Sequence, residues 1–179
     1  MFLKILSISF IAIYLSIDSM VVFDFSLGAN LDNWYIMDDV VMGGRSSGDM
    51  KITDEGHGLF HGQVSLENNG GFSSVRYRPE PIDAADFTVA KLYVKGDEKS
   101  YQFRVKESST DRHSYIYTFE TSGEWEVIEI ALSDMYPSFR GRKLDMDNYK
   151  GETLGELAFL ISNKKAESFN LEIDKIILG

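Results

Sequence analysis

The sequence predicts an all-β domain, an antiparallel β-sandwich with little helix. About eight short segments alternate apolar and polar residues with a period of two. Turn formers separate them every ~8–12 residues, the spacing of sandwich and barrel folds. No window repeats its apolar residues at the 3.6-residue period of an amphipathic helix.

The elements follow in chain order. Val21 to Phe25 is a short apolar strand. Gly58 to Leu66 and Gly71 to Arg78 are divided by Glu67-Asn68-Asn69-Gly70, a cluster of turn formers, so the pair reads as a hairpin. Pro81 to Phe87 has room for one helical turn. Tyr101, Phe103 and Val105 alternate with Gln102, Arg104 and Lys106, which gives a strand with one buried and one wet face. Tyr115, Tyr117 and Phe119 repeat that period and share a face. A Ser122-Gly123 turn leads into the strand Trp125 to Leu132, and Leu132 to Tyr136 holds a second possible helical turn. Leu157 to Ile161 is apolar throughout and is predicted to be covered on both faces. Phe169, Leu171 and Ile173 alternate, then Ile176 and Leu178 continue on the other parity. That switch predicts a β-bulge near Asp174 or Lys175.

Residues 1–17 are apolar apart from Lys4 and a few serines, the pattern of a secretory signal peptide. The apolar run is short for a membrane span, which takes about 20 residues. The expected division is a signal peptide or N-terminal anchor over residues 1–20 and one sandwich domain over residues 21–179. If the leader is real, the protein is exported or membrane-associated, with membrane contact only through residues 1–20. Otherwise it is cytoplasmic.

Composition excludes several functions. The 18 Lys and Arg against 28 Asp and Glu give a net charge of −10. Such a chain lacks the clustered cations that nonspecific nucleic-acid binding requires. It contains no cysteine, so disulfides, thiolate zinc sites, iron–sulfur clusters and cysteine nucleophiles are excluded.

Catalytic and cofactor motifs fail in their contexts. Gly44-Arg45-Ser46-Ser47-Gly48 fits G-x-S-x-G, but a strand-like segment follows where that elbow needs a helix. His57 and His61 lack zinc spacing and sit at a turn entering a strand. Asp145 to Glu152 resembles a calcium loop only loosely, because Tyr149 and Lys150 hold a ligand position and the turn glycine. No phosphate-cradling loop or dinucleotide fingerprint is present. The expectation is a non-enzyme with no cofactor and no metal.

Three segments are richer than a fold alone requires. Trp34 to Ser47 places Asp38 and Asp39 beside Gly43, Gly44 and Arg45. These can hydrogen-bond a polyol or a peptide. The plainer reading, an internal Asp–Arg ion pair fixing the loop, is slightly preferred. Glu67 to Arg76 carries Asn69 and Gly71 in a turn, with Phe72 and Val75 facing the core and Arg76 emerging on the strand. Arg140 and Arg142 flank Gly141 in a cationic spot suited to a carboxylate-bearing partner, or to the Asp38-Asp39 loop of the same chain. All ten residues are expected to converge on one side of the sandwich: Asp38, Asp39, Gly43, Gly44, Arg45, Asn69, Gly71, Arg76, Arg140 and Arg142.

The same segments carry a family resemblance. W-Y-I-M-D-D-V-V-M-G-G-R-S from Trp34 to Ser46 is the first motif. Phe60-x-Gly62-x-Val64 running on through Ser65-Leu66-Glu67-Asn68-Asn69-Gly70-Gly71-Phe72 to Arg76 is the second. Val94-Lys95-Gly96-Asp97 with Tyr101-x-Phe103, then Trp125, Phe139-Arg140-Gly141-Arg142 and Phe169-x-Leu171-Glu172-Ile173, complete it. On these the chain resembles the complex I intermediate-associated protein 30 family over about residues 23–178. The resemblance implies a galactose-binding-like jelly roll of two antiparallel sheets. It also implies an assembly factor, a chaperone-like module that binds protein intermediates of the respiratory complex. The fold is shared with carbohydrate-binding modules. An exported glycan binder using Trp34, Trp125, Tyr115, Tyr117 and Tyr136 is therefore the alternative, although alternation sends several of these to the core. A carboxylate-based enzyme on the concave sheet is the third reading.

Overall fold

The computed structural model describes residues 19–179. The stretch read as a leader, residues 1–17, lies outside them. The first strands are β1 (Met20–Asp24), β2 (Trp34–Asp38), β3 (Ser47–Ile52), β4 (Gly58–Val64) and β5 (Ser73–Tyr77). β6 (Ile82–Asp83), β7 (Val89–Lys95), β8 (Ser100–Lys106), β9 (Ser114–Glu120) and β10 (Trp125–Ala131) follow. β11 (Tyr136–Phe139), β12 (Arg142–Lys143), β13 (Thr153–Leu154), β14 (Glu156–Ile161) and β15 (Glu167–Leu178) complete the described chain. Helix among the described residues is confined to 3-10 turns at Asp39–Met42, Glu67–Asn69 and Leu132–Asp134. None of it is long and apolar enough to cross a membrane.

The strands form two antiparallel sheets and a small ribbon. One sheet runs β10-β7-β15-β4-β3, with β1 paired to the end of β15. The other runs β12-β11-β9-β8-β14-β5-β2. β6 and β13 pair apart from both. The two sheets enclose a core to which β15 gives Phe169, Leu171, Ile173, Ile176 and Leu178, and β14 gives Leu157, Phe159 and Ile161. This is the antiparallel sandwich that the alternating segments predict, in the jelly-roll form that the family resemblance implies.

The parity switch on β15 is a register shift between Ile173 and Lys175. It turns both Ile173 and Ile176 inward, where neither is exposed. Every residue of β14 is buried, Glu156 included, as expected of an apolar run covered on both faces. Trp34 stacks with Tyr77 and packs on Phe23 and Phe25 inside the domain. It is therefore a core residue. Trp125 is 43% exposed.

Three local expectations fail. β4 and β5 are not a hairpin, since β4 belongs to the six-stranded sheet and β5 to the seven-stranded one. The segment between them crosses from sheet to sheet because its amides are gathered onto Asp39, as described below. Phe72, at the end of that crossing, stays half-buried outside the core cluster, whereas Val75 is fully buried. Pro81 to Phe87 forms no helical turn. Ile82 pairs with Leu154, and the Ala84 amide donates to the Glu152 carbonyl, so ladder bonds hold the first half of this segment extended. Ala84 to Phe87 then closes in a single β-turn, with the Phe87 amide donating to the Ala84 carbonyl at 3.0 Å.

Candidate functional site

Two polar constellations stand out, and both are built on the seven-stranded sheet. The first is a clasp at the edge where the sheets meet. β2 ends at Asp38, and the next residue, Asp39, opens a 3-10 turn with its carboxylate wholly buried. One carboxylate oxygen, Oδ1, accepts from the Ser46 amide at 3.0 Å. The other, Oδ2, accepts from the Ser46 hydroxyl at 2.5 Å, the Gly71 amide at 2.6 Å and the Phe72 amide at 3.2 Å. Burial by itself would raise the pKa of this acid. The Ser46 hydroxyl and the Gly71, Ser46 and Phe72 amides outweigh it and hold Asp39 below the ordinary carboxylate range. Asp38 works alongside, accepting from the Ser73 hydroxyl at 2.6 Å and the Gly48 amide at 2.8 Å. Together the two acids tie β2, the entry to β3 and the 65–72 crossing into one edge.

The glycines explain themselves here. A Cβ on Gly44 would stand 2.1 Å from Asp39 Oδ1, and one on Gly70 would stand 2.6 Å from Oδ2. Both must be bare for backbone to close over the carboxylate. Gly44→Ala is therefore expected to lower stability by about 1–3 kcal/mol through overpacking. Arg45→Ala should cost only about 0–1 kcal/mol, because its ion pair is exposed. Urea unfolding of the two variants checks this contrast.

The Asp–Arg ion pair expected in this loop does not form. Arg45 pairs instead with Glu67, 3.0 Å away, with both side chains largely in water. Hydroxyls and amides leave the two acids no call for a cation. Of the ten residues expected to converge, seven lie on the two joined loops: Asp38, Asp39, Gly43, Gly44, Arg45, Asn69 and Gly71. Gly43 and Asn69 supply left-handed turns there, at φ 90° and 60°. Arg76 stands apart, on the outward face of β5. Arg140 and Arg142 do not join. β12 and β2 are opposite edges of the sheet with five strands between them. At about 4.8 Å per strand the separation is roughly 29 Å along the sheet. Nor do these arginines pair with the Asp38-Asp39 loop. Arg140 lies over the Phe139 ring instead.

The second constellation occupies the outward face of the seven-stranded sheet. Because Leu157, Phe159 and Ile161 point inward, Glu156, Ala158 and Leu160 point out. Register then lines up a cross-strand row: Tyr35, Arg76, Ala158, Arg104, Ile116 and Tyr136. Glu156 is the hub of the neighbouring row and only 3% exposed at its side chain. It accepts from the Tyr35 hydroxyl at 2.8 Å, Arg78 Nε at 2.8 Å and Arg76 Nη1 at 3.2 Å, with Lys106 Nζ at 3.5 Å. Burial would raise its pKa, but Arg78, Tyr35, Lys106 and Arg76 overcome that and hold it low. Burial and the bond to Glu156 push the Tyr35 phenol up to about 12. Both acids at the centre of these constellations are thus ionised, buried and each in contact with four donors. Neither holds a proton to give, and burial closes both carboxylates to a substrate.

Sequence reasoning missed Glu156, Arg78 and Tyr35. The wet face of Gln102, Arg104 and Lys106 was legible from alternation. The signal for Glu156 was slight, a lone carboxylate heading an otherwise apolar strand. On the opposite sheet, Trp125, Val127, Tyr93, His57 and Asp174 line a hollow of about 390 Å³. His57 there packs on the Trp125 ring.

The two packed antiparallel sheets define a fold class, the galactose-binding-like jelly rolls. Solved structures of similar fold include the family 11 carbohydrate-binding module of the cellulosomal cellulase Lic26A-Cel5E of Clostridium thermocellum. It has a TM-score of 0.67 at 18% identity, over 90% of this chain and 94% of that one. An agarase, AgWH50C, matches at TM-score 0.57 and 12% identity, over 90% of this chain and 24% of its own. Within that class, the family model for Complex I intermediate-associated protein 30 matches residues 23–173, and the chain belongs to that family. The mitochondrial Complex I intermediate-associated protein 30 of Drosophila melanogaster is 25% identical over 181 residues, covering 87% of this chain and 61% of the relative. That of Mus musculus is 25% identical over 179 residues, covering 87% and 55%. The chain thus spans rather more than half the length of these curated relatives.

Proposed function

We propose that this protein is a non-catalytic binding module that holds a protein partner during assembly of a larger complex; its relatives are named for association with a complex I intermediate. The observation that carries the reading is the family match across nearly the whole sandwich. The buried, donor-bonded state of Asp39 and Glu156 supports it, because the buried acids of both constellations are committed to architecture. By the same family likeness, the partner is an intermediate of the respiratory complex. Affinity capture of the full chain from membranes of its native host tests this. Enrichment of respiratory complex I subunits over a mock capture is expected. A capture that enriches none of them would overturn the reading.

A second reading, a glycan-binding module, is favoured by one observation. Trp125 is exposed beside Tyr93 and His57 over an open hollow, and an aromatic face of this kind can stack on the C–H face of a sugar. Of the two tryptophans only Trp125 meets solvent, so its fluorescence reports this surface. Titration with mixed-linkage β-glucan oligosaccharides should shift the emission if the reading holds. An unchanged spectrum at millimolar sugar would remove it.

A further inference from the structure

We propose that the outward face of the seven-stranded sheet docks an acidic segment of a protein partner, with Arg104 and Arg76 receiving a carboxylate side chain above Ala158. The proposal rests on the protein-binding reading and specifies the chemistry of the partner.

The charges on this face do not balance. Arg76, Arg78 and Lys106 share the single carboxylate of Glu156. Arg104 has none. Its Nε and Nη2 both donate to Gln102 Oε1, at 3.0 and 2.6 Å, and among the described residues it forms no ion pair. Around Arg104, four cations therefore share one anion, with Lys143 over the Tyr136 ring and Glu120 at the end of β9 further along the face, on a protein whose net charge is −10. Burial and the neighbouring Arg76 lower the Arg104 pKa to about 10, so it remains a cation at neutral pH, in surroundings that disfavour one. A folded domain that needs no ligand here would gain by replacing such a group. A carboxylate arriving from outside would relieve it, and a guanidinium fork suits carboxylates in particular.

The shape of the face selects the ligand. Ser74, Arg76, Arg104, Lys106, Ser114 and the Glu156 carboxylate surround a cavity of about 10 Å³, room for one water at most. A carboxylate therefore rests at its mouth, on the guanidinium groups of Arg104 and Arg76, with water between it and Glu156. The charged heads are recessed, with the Arg76 and Lys106 side chains only 17% and 12% exposed. A flat anionic membrane or a nucleic-acid duplex presents its phosphates on a broad front and is repelled by the acidic remainder of the protein. A Glu or Asp on an extended segment reaches the recess. Tyr35 and Tyr136 end the row on either side, each with a cation over its ring, Arg78 at 4.6 Å and Lys143 at 5.4 Å, which adds to the positive character of the face.

The test uses the full chain and an acetylated hexaglutamate peptide, with hexaglutamine and phosphatidylglycerol vesicles as competing probes. Calorimetric titration should show hexaglutamate binding that weakens with salt and no hexaglutamine binding. Arg104→Met should weaken binding about tenfold or more while leaving the melting temperature unchanged or higher. Lys91→Gln, on the other sheet, should change neither. Absence of hexaglutamate binding overturns the proposal, as does equal binding by Arg104→Met. Vesicle binding with the same dependence on Arg104 overturns it in favour of lipid. An Arg104→Met chain that fails to fold also overturns it, since Arg104 would then have a structural partner. Hexaglutamate binding without capture of complex I subunits would leave this surface standing and remove the assembly reading. Capture without hexaglutamate binding would do the reverse.

Discussion

Replacing Asp39 with Asn is expected to destabilise the domain by about 3–5 kcal/mol. The substitution keeps the shape and removes the charge. It also turns one acceptor oxygen into a donor that faces other donors. With nitrogen at the Oδ2 position three of the four bonded groups lose their acceptor, with nitrogen at Oδ1 one does, at about 1–3 kcal/mol each in a buried site, and the bonds that remain lose their charge assistance. The effect depends on pH with a definite sign. The folded-state pKa of Asp39 is depressed, so its contribution is fully present above the unfolded value of about 3.9 and is lost as pH falls through the folded value. Unfolding in urea should therefore show a wide gap between wild type and Asp39→Asn at neutral pH, and a narrow one well below pH 4. A variant as stable as wild type at neutral pH would mean that the clasp contributes little.

Glu156→Gln is expected to cost a comparable amount, roughly 3–5 kcal/mol, for a different reason. Removing the hub charge leaves Arg76 and Lys106, both largely buried, without a counter-ion. Arg78→Gln removes a partner instead of the hub. Because the Arg78 side chain is 49% exposed, it should cost only about 0–1 kcal/mol. Glu156, like Asp39, has a lowered folded-state pKa, so its contribution also fades in acid, below the unfolded glutamate value of about 4.3. Equal losses from Glu156→Gln and Arg78→Gln would show that the carboxylate is not the centre of the network.

The fold was legible in the sequence wherever a physical period was at work. Alternation gave β8 and β9, the apolar run gave β14, and the parity switch of β15 gave its bulge. The failures share a cause, since each depended on a partner distant in the chain. Asn68-Asn69-Gly70 has the local chemistry of a hairpin turn, yet Asp39, some 30 residues earlier, draws that segment across to the other sheet. Asp38 and Asp39 read as natural partners for Arg45. Sequence cannot show that six hydroxyl and amide donors already surround them. Arg140 and Arg142 shared a motif-rich neighbourhood with the other candidates, but strand order put them at the far edge. The outward face of β8 was visible as a wet face. Its surplus of charge emerged only when register set Arg104 beside Ala158 and Arg76.

Those surplus cations carry the central claim, that the protein binds through the outward face of its seven-stranded sheet. Quantitative capture from host membranes with wild type, Arg104→Met and Lys91→Gln tests it directly. Wild type and Lys91→Gln should retain the same respiratory subunits, and Arg104→Met, equally stable, should lose most of them. Undiminished capture by Arg104→Met would contradict the account.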